Sequence, residues 1–336
     1  MIAGFLVGVL FLTWIYVPAE PIVAAYFYVW YSADGRHWND SSVTVVVDRP
    51  VAGYYTSNYT VFVRQMKLMK DVGVDVVFVS WWGPRSYEDG AAREAFRAAR
   101  EVGLKAAILV EPYLGSNASY YDEAWWDDVL SHVSTHFVEP YADVYFTWEG
   151  RPLILAFNPI GEVYKPSCDK FTIRIVGNDV DDGGYRDWDL WPDYDVALSG
   201  RLKVRRDGYV ALTPRFDDYY LYLAGGRSSY RRIDVDYAAG WYEKQWRFVL
   251  GNRGAIRLVA IYSWNEYHER SQIEPHYDAT SLKPAFYLLE VTGGYASKLS
   301  AMGVDMDRAA LMCLVLGLAA AGVVVKRRLL QATKGA

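Results

Sequence analysis

Short apolar runs alternate with longer segments of helical periodicity between residues 22 and 289. Several of the short runs are continuously hydrophobic, as strands buried on both faces of a parallel sheet are. The runs that we predict as strands are Ile22–Tyr28, Val74–Ser80, Lys105–Val110, Pro152–Phe157, Phe171–Val176, Tyr194–Leu198, Tyr209–Thr213 and Leu258–Tyr262. The segments that we predict as helices are Val61–Val72, Glu88–Val102, Tyr121–His136, Ala239–Leu250 and Leu282–Leu289. Gly73 and Gly103 directly follow two of these helices, where glycine commonly ends a helix.

This alternation predicts a (β/α)₈ barrel, because strands and helices alternate over about 270 residues, the typical size of that fold. The alternative is a doubly wound sheet, which is disfavoured because no glycine-rich phosphate loop follows a strand. The segment Tyr185–Trp191 is aromatic and acidic with weak helical signals. We therefore expect the barrel to be irregular in that segment.

The first residues of the chain form an apolar segment. Residues 2–17 are apolar apart from Thr13, and residues 1–20 are predicted as a signal peptide or an uncleaved signal anchor. No Lys or Arg precedes the segment, so a buried first strand is the alternative. Three glycosylation sequons, which begin at Asn39, Asn58 and Asn117, agree with an exported domain.

The C-terminal part of the chain predicts a membrane anchor. Residues 309–325 contain no charge, and a Lys-Arg-Arg cluster follows at residues 326–328. The run is at the short end of a transmembrane helix, and the basic cluster is expected to remain in the cytoplasm. The alternative is a buried core helix. We predict a single-pass protein of the cell membrane with an extracytoplasmic catalytic domain (residues 21–297), a linker (298–308), a transmembrane helix (309–325) and a cytoplasmic tail (326–336).

Composition narrows the classes of function. The formal net charge of -5 disfavours nucleic-acid binding, because such proteins need a positive field against phosphates. The two cysteines form no zinc motif with the histidines, and no metal or other cofactor is predicted. The 28 tyrosines and 13 tryptophans suit a glycan partner, because the C–H face of a pyranose packs on an aromatic ring. No obligate protein partner is evident.

Polar and aromatic side chains follow most of the predicted strands. In a (β/α)₈ barrel the chemistry lies at the C-terminal ends of the strands, so these side chains are expected to converge. The candidates for substrate binding are Tyr31, His37, Trp38, Trp82, Glu111, Tyr113, Asp217, Asn265 and His268. Structural alternatives exist for them: the rings would cap the core, Glu111 would form a salt bridge, and Asp217 and Asp218 would make turns.

Glu266 and Glu269 follow the eighth predicted strand and are the candidates for catalysis. On an extended strand they would lie about 10 Å apart, whereas a turn after Glu266 would bring them to about 5–6 Å. Retaining glycosidases hold two carboxyls about 5–5.5 Å apart, and inverting glycosidases about 6.5–9.5 Å. One carboxyl must be neutral as the acid while the other is ionised, and their repulsion helps to separate the two pKa values. The alternative is that both are ordinary loop charges.

The segment after the eighth strand resembles a motif of glycoside hydrolase family 99, the endo-α-mannosidase and endo-α-mannanase family. The family motif resembles Trp/Phe-Asn-Glu-Trp-His-Glu-Gly-Thr-Gln-Ile-Glu, and the segment here reads Trp264-Asn265-Glu266-Tyr267-His268-Glu269-Arg270-Ser271-Gln272-Ile273-Glu274. Four other pieces are similar to the family in the same order, namely Tyr26–Tyr31 with His37-Trp38, Gly73–Trp82, Glu111–Tyr113 and Pro214–Asp218. The resemblance extends from Ala24 to Pro275.

The resemblance implies a (β/α)₈ barrel that hydrolyses an α-mannosidic bond with retention. Glu266 would act as a base on the 2-hydroxyl of the substrate, which forms a 1,2-anhydro sugar. Glu269 would protonate the leaving oxygen and then activate water. Glu111 and His268 would contact the substrate.

The segment also departs from the family pattern. Tyr267 replaces Trp, Arg270-Ser271 replaces Gly-Thr, Arg215-Phe216 replaces Gly-Tyr, and Asn158-Pro159 stands where the family tends to have Asp-Ser-Tyr. We expect Arg270 either to lower the pKa of the adjacent Glu269 or to bind an acidic sugar. Two other hypotheses are a glycan-processing protein of the related sugar-transferase-associated group, whose motif resembles Trp-Asn-Glu-Trp-Ala-Glu, and a non-catalytic sugar-binding protein.

Overall fold

Eight parallel strands form the central sheet in a computed structural model, which describes residues 20–38, 45–112, 122–159, 164–177, 186–192 and 202–302. In chain order the strands are β1 Ile22–Phe27, β2 Val76–Trp81, β3 Lys105–Val110, β4 Arg151–Phe157, β5 Thr172–Gly177, β6 Trp188–Asp189, β7 Tyr209–Leu212 and β8 Leu258–Ile261. Consecutive strands pair from β1 to β6, β7 pairs with β8, and β8 pairs with β1. This sequential order is that of a nearly closed (β/α)₈ barrel, as predicted, and not of a doubly wound sheet, whose strand order reverses.

The barrel closes between β6 and β7 through side chains. The Tyr209 hydroxyl donates to the backbone oxygen of Asp189 at 2.7 Å, and the Tyr209 ring stacks on Trp188 with centroids 4.4 Å apart. Arg205 adds an ion pair to the Asp189 carboxylate. The predicted sixth strand Tyr194–Leu198 lies outside the described residues, and two residues of the acidic, aromatic segment take the sixth position instead.

Aromatic side chains fill the barrel between its strands. Tyr26 on β1 packs edge-on against Phe78 on β2, and its hydroxyl lies 3.0 Å from that of Tyr209 on β7. Alternate residues of a strand point to the same side, so Tyr28 and Ser80 are the next inward positions. The core therefore continues directly into the side chains at the C-terminal ends of the strands.

Helices follow most of the strands. Their bounds are α1 Tyr59–Asp71, α2 Tyr87–Val102, α3 Glu123–Val133, α4 Tyr219–Leu223 and α5 Trp241–Asn252, and residues 287–302 form a further helix, α6. A π-helical turn, Ser134–Val138, follows α3 and a 3₁₀ turn, Arg253–Ala255, follows α5. The start of α2 is capped by Ser86, whose hydroxyl accepts from the Asp89 N–H, and α2 ends at Gly103 with a left-handed φ of 78°.

The last predicted helix, Leu282–Leu289, begins later than predicted. Residues 282–286 are not helical, and Leu282 is fully exposed. Pro284 cannot continue an upstream helix because it lacks an N–H, and its carbonyl accepts instead from the N–H of Tyr287 at 2.9 Å, where α6 starts.

Five strands of two residues each add to the barrel through three antiparallel pairings. Thr147–Trp148 pairs with β4, Arg49–Pro50 pairs with His276–Tyr277, and Phe216–Asp217 pairs with Arg232–Ile233, all antiparallel. The last pair closes a hairpin of residues 216–233, in whose loop α4 lies; we call it the wall hairpin.

Residues Pro21–Leu299 form one compact unit. Among the described residues, no helix has the length and apolarity to span a membrane. The predicted transmembrane helix (309–325) and cytoplasmic tail (326–336) lie outside those residues, as do residues 1–19 of the predicted signal segment, while 298–302 of the predicted linker continue α6. Of the three sequon asparagines, Asn58 is described; it is exposed, and its side-chain oxygen caps α1 by accepting from the Val61 N–H.

Candidate active site

A cavity of about 840 Å³ opens at the C-terminal ends of the barrel strands. Its volume is large for a small-molecule site, since such pockets occupy about 300–1,000 Å³. Side chains from the ends of several strands line it, including Tyr28, Trp82, Glu111, Phe157 and Tyr262. The wall hairpin supplies a further part of the lining through Asp218, Leu221, Gly226, Arg227, Ser228, Ser229, Tyr230 and Arg231.

Three buried glutamates share this cavity, Glu111, Glu266 and Glu269. Glu111 follows β3, and its Oε1 accepts from the Ser80 hydroxyl at 2.9 Å. The pKa of Glu111 is raised to about 8. Burial is the main cause, the charges of Glu266 and Glu269 add to the rise, and the hydrogen bond from Ser80 opposes it. Glu111 is therefore mostly neutral at pH 7 and can donate a hydrogen bond.

The loop after β8 is held in place by backbone and side-chain hydrogen bonds. The Asn265 side chain accepts from the N–H of Tyr28 and donates to its carbonyl, both at 2.8 Å. The Tyr31 hydroxyl donates to the Asn265 carbonyl at 2.8 Å and accepts from the Tyr267 N–H at 3.2 Å. These bonds tie the loop to the end of β1 and direct the neighbouring glutamates into the cavity.

Glu266 faces an imidazole. Its Oε1 accepts from the His268 backbone N–H and lies 2.9 Å from Nδ1 of the same residue. The other ring nitrogen, Nε2, lies 3.0 Å from the backbone oxygen of His37, an acceptor, so Nε2 must carry a proton. Burial lowers the pKa of His268, but the Glu266 carboxylate outweighs it and the net shift is upward. Glu266 therefore has an imidazole partner whose protonated form is favoured.

Glu269 has different partners. The Tyr262 hydroxyl donates to its Oε2 at 2.7 Å, and Nη2 of Arg227 donates to its Oε1 at 2.7 Å. Burial and the charge of Glu266 raise the pKa of Glu269 to about 7, while Arg227 and Tyr262 oppose the rise. Two glutamates three residues apart thus have different partners, an imidazole for Glu266 and an arginine and a tyrosine for Glu269, which suits different roles in acid–base chemistry.

The structure separates the predicted site residues into two groups. The residues that line the cavity are His37, Trp82, Glu111, Glu266, His268 and Glu269. The buried residues that pack behind it are Tyr31, Trp38, Asp217 and Asn265. Trp38 stacks on Tyr31 with centroids 4.0 Å apart and donates to the Tyr55 carbonyl, so it supports the loop from outside. Tyr113 lies outside the described residues.

Sequence reasoning missed three residues of the site. Tyr262 is the last residue of the predicted eighth strand, and its ring was assigned to the strand rather than to the chemistry. Asp218 lines the cavity, although a turn role is the simpler prediction for it, while Asp217 is buried beside it. Arg227 lies in the polar run Gly225-Gly226-Arg227-Ser228-Ser229, whose only signal is its place after the seventh strand.

Comparison with known proteins gives a match in structure only. No family model and no curated protein matches the sequence. A solved structure of the family 99 endo-α-mannosidase from Bacteroides thetaiotaomicron, in complex with bis-tris-propane, is 17% identical and covers 83% of this chain and 97% of its own, with a TM-score of 0.61. A second structure of that enzyme is 16% identical and covers 82% and 97%, with a TM-score of 0.59. The chain has the fold of the family 99 glycoside hydrolases.

Two departures from the family 99 motif meet in one buried ion network. Arg270 pairs with Asp48 at 2.8 Å, with Asp217 at 2.6 Å and with Asp278 at 3.0 Å. Arg215 pairs with the same Asp48 and Asp278. The expectation that Arg270 acts on Glu269 or on a sugar is thus wrong, because its side chain is buried in this network away from the cavity. Arg227 is the arginine that contacts Glu269.

The same network bears on metal binding. Asp48, His276 and Asp278 place ligand atoms within 4.8 Å of one another. The two guanidinium groups already neutralise both of these carboxylates, so adding a divalent cation would bring like charges together. These three residues therefore fit a structural ion network and do not fit a metal site.

We predict that Arg227→Gln raises the pKa of Glu269 above the wild-type value of about 7, because the neutral side chain no longer stabilises the carboxylate. The measurement is a ¹³C NMR titration of glutamate side chains, with the Glu269 signal assigned from Glu269→Gln. Arg227→Lys keeps the positive charge and is expected to titrate close to wild type. An unchanged or lower pKa in Arg227→Gln would contradict the assignment.

We further predict that Asp48→Asn lowers the free energy of unfolding by about 3–5 kcal/mol, because it leaves two buried guanidinium groups without their shared carboxylate. Asp143→Asn is the control, since Asp143 pairs with Arg100 on the surface and its loss is expected to change stability by about 1 kcal/mol at most. Both values come from urea denaturation at pH 7. Equal effects of the two substitutions would show that the network is not a stabilising element.

Proposed function

We propose that the protein is a retaining glycoside hydrolase for α-linked, mannose-type glycans, with Glu266 as base and Glu269 as acid. The observation that carries the proposal is the different surroundings of these two carboxyls within one cavity. Glu266 faces the His268 imidazole, while Glu269 has a pKa of about 7. The family 99 fold supports the reaction class, and the motif resemblance supports the assignment of roles.

The first step breaks the glycosidic bond. Glu266 accepts the proton of the substrate 2-hydroxyl, and O2 attacks C1 to form a 1,2-anhydro sugar. Glu269 gives its proton to the leaving oxygen as the C1–O bond breaks. The contacts of the loop suit this division, because the imidazole beside Glu266 favours a base there and the raised pKa of Glu269 favours an acid.

The second step restores both residues. The Glu269 carboxylate now takes a proton from water, and the water oxygen attacks C1 while the C1–O2 bond breaks. Glu266 returns its proton to O2. Two displacements at C1 give net retention without a covalent bond to the enzyme, in contrast to the usual double displacement.

The remaining cavity residues bind the sugar. Glu111, neutral at pH 7, donates a hydrogen bond to a substrate hydroxyl. Trp82 supplies an aromatic surface from the end of β2. The His268 imidazolium holds Glu266 in place and adds a positive charge beside it.

We predict that Glu269→Gln and Glu266→Gln each lower kcat for an aryl α-mannobioside by about 10²–10⁴-fold, because each removes one proton transfer. An α-mannobiosyl fluoride, whose leaving group needs no proton, is expected to restore the first step in Glu269→Gln, measured as a burst of fluoride release, but not in Glu266→Gln. The control is Glu94→Gln on the surface of α2, which should act like wild type. NMR of the first-formed anomer tests retention.

Wild-type turnover of the aryl glycoside by Glu269→Gln would refute the acid role. Glycan binding without cleavage of any α-mannoside would favour the non-catalytic hypothesis. Release of a nucleotide sugar would favour the transferase-associated one.

The catalytic domain is tethered to the cell membrane by residues 309–325 and lies outside the cytoplasm. The proposal is supported by the uncharged run, by the basic residues 326–328 and by the exposed Asn58 sequon. We predict that the full chain remains in the membrane pellet after alkaline carbonate extraction and that added protease removes the domain from intact cells. The double variant Leu314→Arg/Leu318→Arg is expected to be released, since each arginine at a span centre costs about 2.5–3.5 kcal/mol. Leu330→Arg, outside the run, is the control, and retention of the double variant would contradict the anchor.

A further inference from the structure

The wall hairpin carries a group of tyrosines that the proposed reaction does not use. Tyr230 lines the cavity, and its ring lies 4.8 Å from that of Tyr219 and 5.0 Å from that of Tyr222. Tyr222 and Tyr230 are 39% and 47% exposed. Adjacent exposed rings on a protein surface often mark a binding site. The group therefore forms an aromatic strip that leads from the cavity to the surface.

The base of this strip is fixed. The Arg232 guanidinium lies 5.0 Å above the Tyr219 ring and pairs with the buried Asp217 carboxylate at 3.3 Å. The Asp218 carboxylate accepts from the Arg231 N–H at 2.6 Å, across the hairpin. Tyr219 is thus held by the same elements that hold the β8 loop, because Asp217 also binds Arg270. A rigid base keeps the exposed rings in place, so that little entropy is lost when a ligand covers them.

The chemistry of the strip favours a sugar over an apolar partner. Each exposed ring has a hydroxyl at its tip, and these two hydroxyls have no hydrogen-bond partner among the described residues. The polar residues Arg227, Ser228 and Ser229 directly precede Tyr230 and line the cavity with it, and Arg227 pairs with Glu269. Rings that pack against C–H faces and polar groups that bind hydroxyls are what a chain of pyranoses requires.

We propose that Tyr222 and Tyr230 form a second sugar-binding site, on which units of an oligosaccharide beyond the cleaved bond stack. The occupant is the same glycan chain that enters the cavity, because Tyr230 belongs to both surfaces. This inference rests on the proposed function for the identity of the ligand. It adds that the protein selects its substrates by length, through contacts outside the reacting sugars.

The test compares an α-linked mannohexaose with the corresponding mannobiose. In the full chain, Tyr222→Ala/Tyr230→Ala is expected to raise KM for the hexaose roughly 5-fold to 100-fold, if each ring contributes an aromatic contact of about 0.5–1.5 kcal/mol. The KM for the biose should rise less than the KM for the hexaose, and the single variant Tyr222→Ala, whose residue does not line the cavity, should leave kcat and KM for the biose unchanged. Tyr222→Phe/Tyr230→Phe keeps the rings and should retain most of the effect on the hexaose. The matched control is Tyr277→Ala, because Tyr277 is 60% exposed and does not line the cavity.

Binding is measured separately by calorimetry in the Glu269→Gln background, where the ligand is not cleaved. A loss of affinity that is larger for the hexaose than for the biose supports the second site. An equal loss for biose and hexaose, no loss for either, or no binding of either sugar overturns it. If Tyr222→Ala/Tyr230→Ala binds phosphatidylcholine vesicles less than the wild type but binds both sugars equally well, the second sugar site is overturned in favour of a lipid contact.

The two readouts distinguish this inference from the proposed function. If the wild type cleaves both sugars and the tyrosine variants behave like wild type, the second site is wrong and the hydrolase assignment stands. If the wild type cleaves neither sugar, the hydrolase assignment fails, and the calorimetric comparison of the two lengths still decides the second site.

Discussion

The paired charges around Arg270 determine where the candidate catalytic loop lies. Two buried guanidinium groups are tolerated only with carboxylates beside them, because an unpaired ion in the interior loses several kcal/mol of hydration. Asp48 and Asp217 provide that pairing from distant parts of the chain, and the Asp217 N–H also donates to the carbonyl of Glu269 at 2.9 Å. Since Arg270 directly follows Glu269, the ion pairs that hold the Arg270 side chain also fix the backbone of Glu269. Arg215 shares Asp48, so the two departures from the family motif form a single compensated unit.

Burial has different consequences for the three carboxyls because their partners differ. Glu111 has a hydroxyl and two carboxylates nearby, and its pKa rises the most, to about 8. Glu269 has an arginine that limits the rise, so its pKa of about 7 allows it both to donate and to recover a proton near neutral pH. Glu266 has the His268 imidazole 2.9 Å from its Oε1. The hydrogen-bond and ion-pair partners of each carboxyl therefore distinguish the proposed acid from the proposed base. Burial in the shared cavity alone would shift the pKa of all three carboxyls in the same direction.

The sequence predicts the barrel well where strands are buried on both faces. Runs such as Val76–Trp81 and Lys105–Val110 are almost entirely apolar and leave little choice of structure. It predicts β6 poorly, because that strand has two residues and its closure relies on side chains from elsewhere. The candidate site is likewise predicted in part. Position after a strand identifies Glu111 and the glutamate pair, but it does not reveal whether a side chain enters the cavity, as Trp82 does, or packs behind it, as Tyr31 does.

The side-chain closure between β6 and β7 divides the cavity into two kinds of wall. On one side, Glu111 and the two glutamates stand on strands joined by continuous backbone ladders, where a change of side chain leaves the hydrogen bonds intact. On the other side, Leu190 and Trp191 follow β6, whose attachment to β7 depends on the identities of Tyr209, Trp188 and Asp189. The strands of the first wall can therefore accept substitutions one residue at a time, whereas changes at the second wall must come in compatible sets. New substrate preferences in such a barrel would therefore arise most readily from the loops and the hairpin, and least readily at its seam.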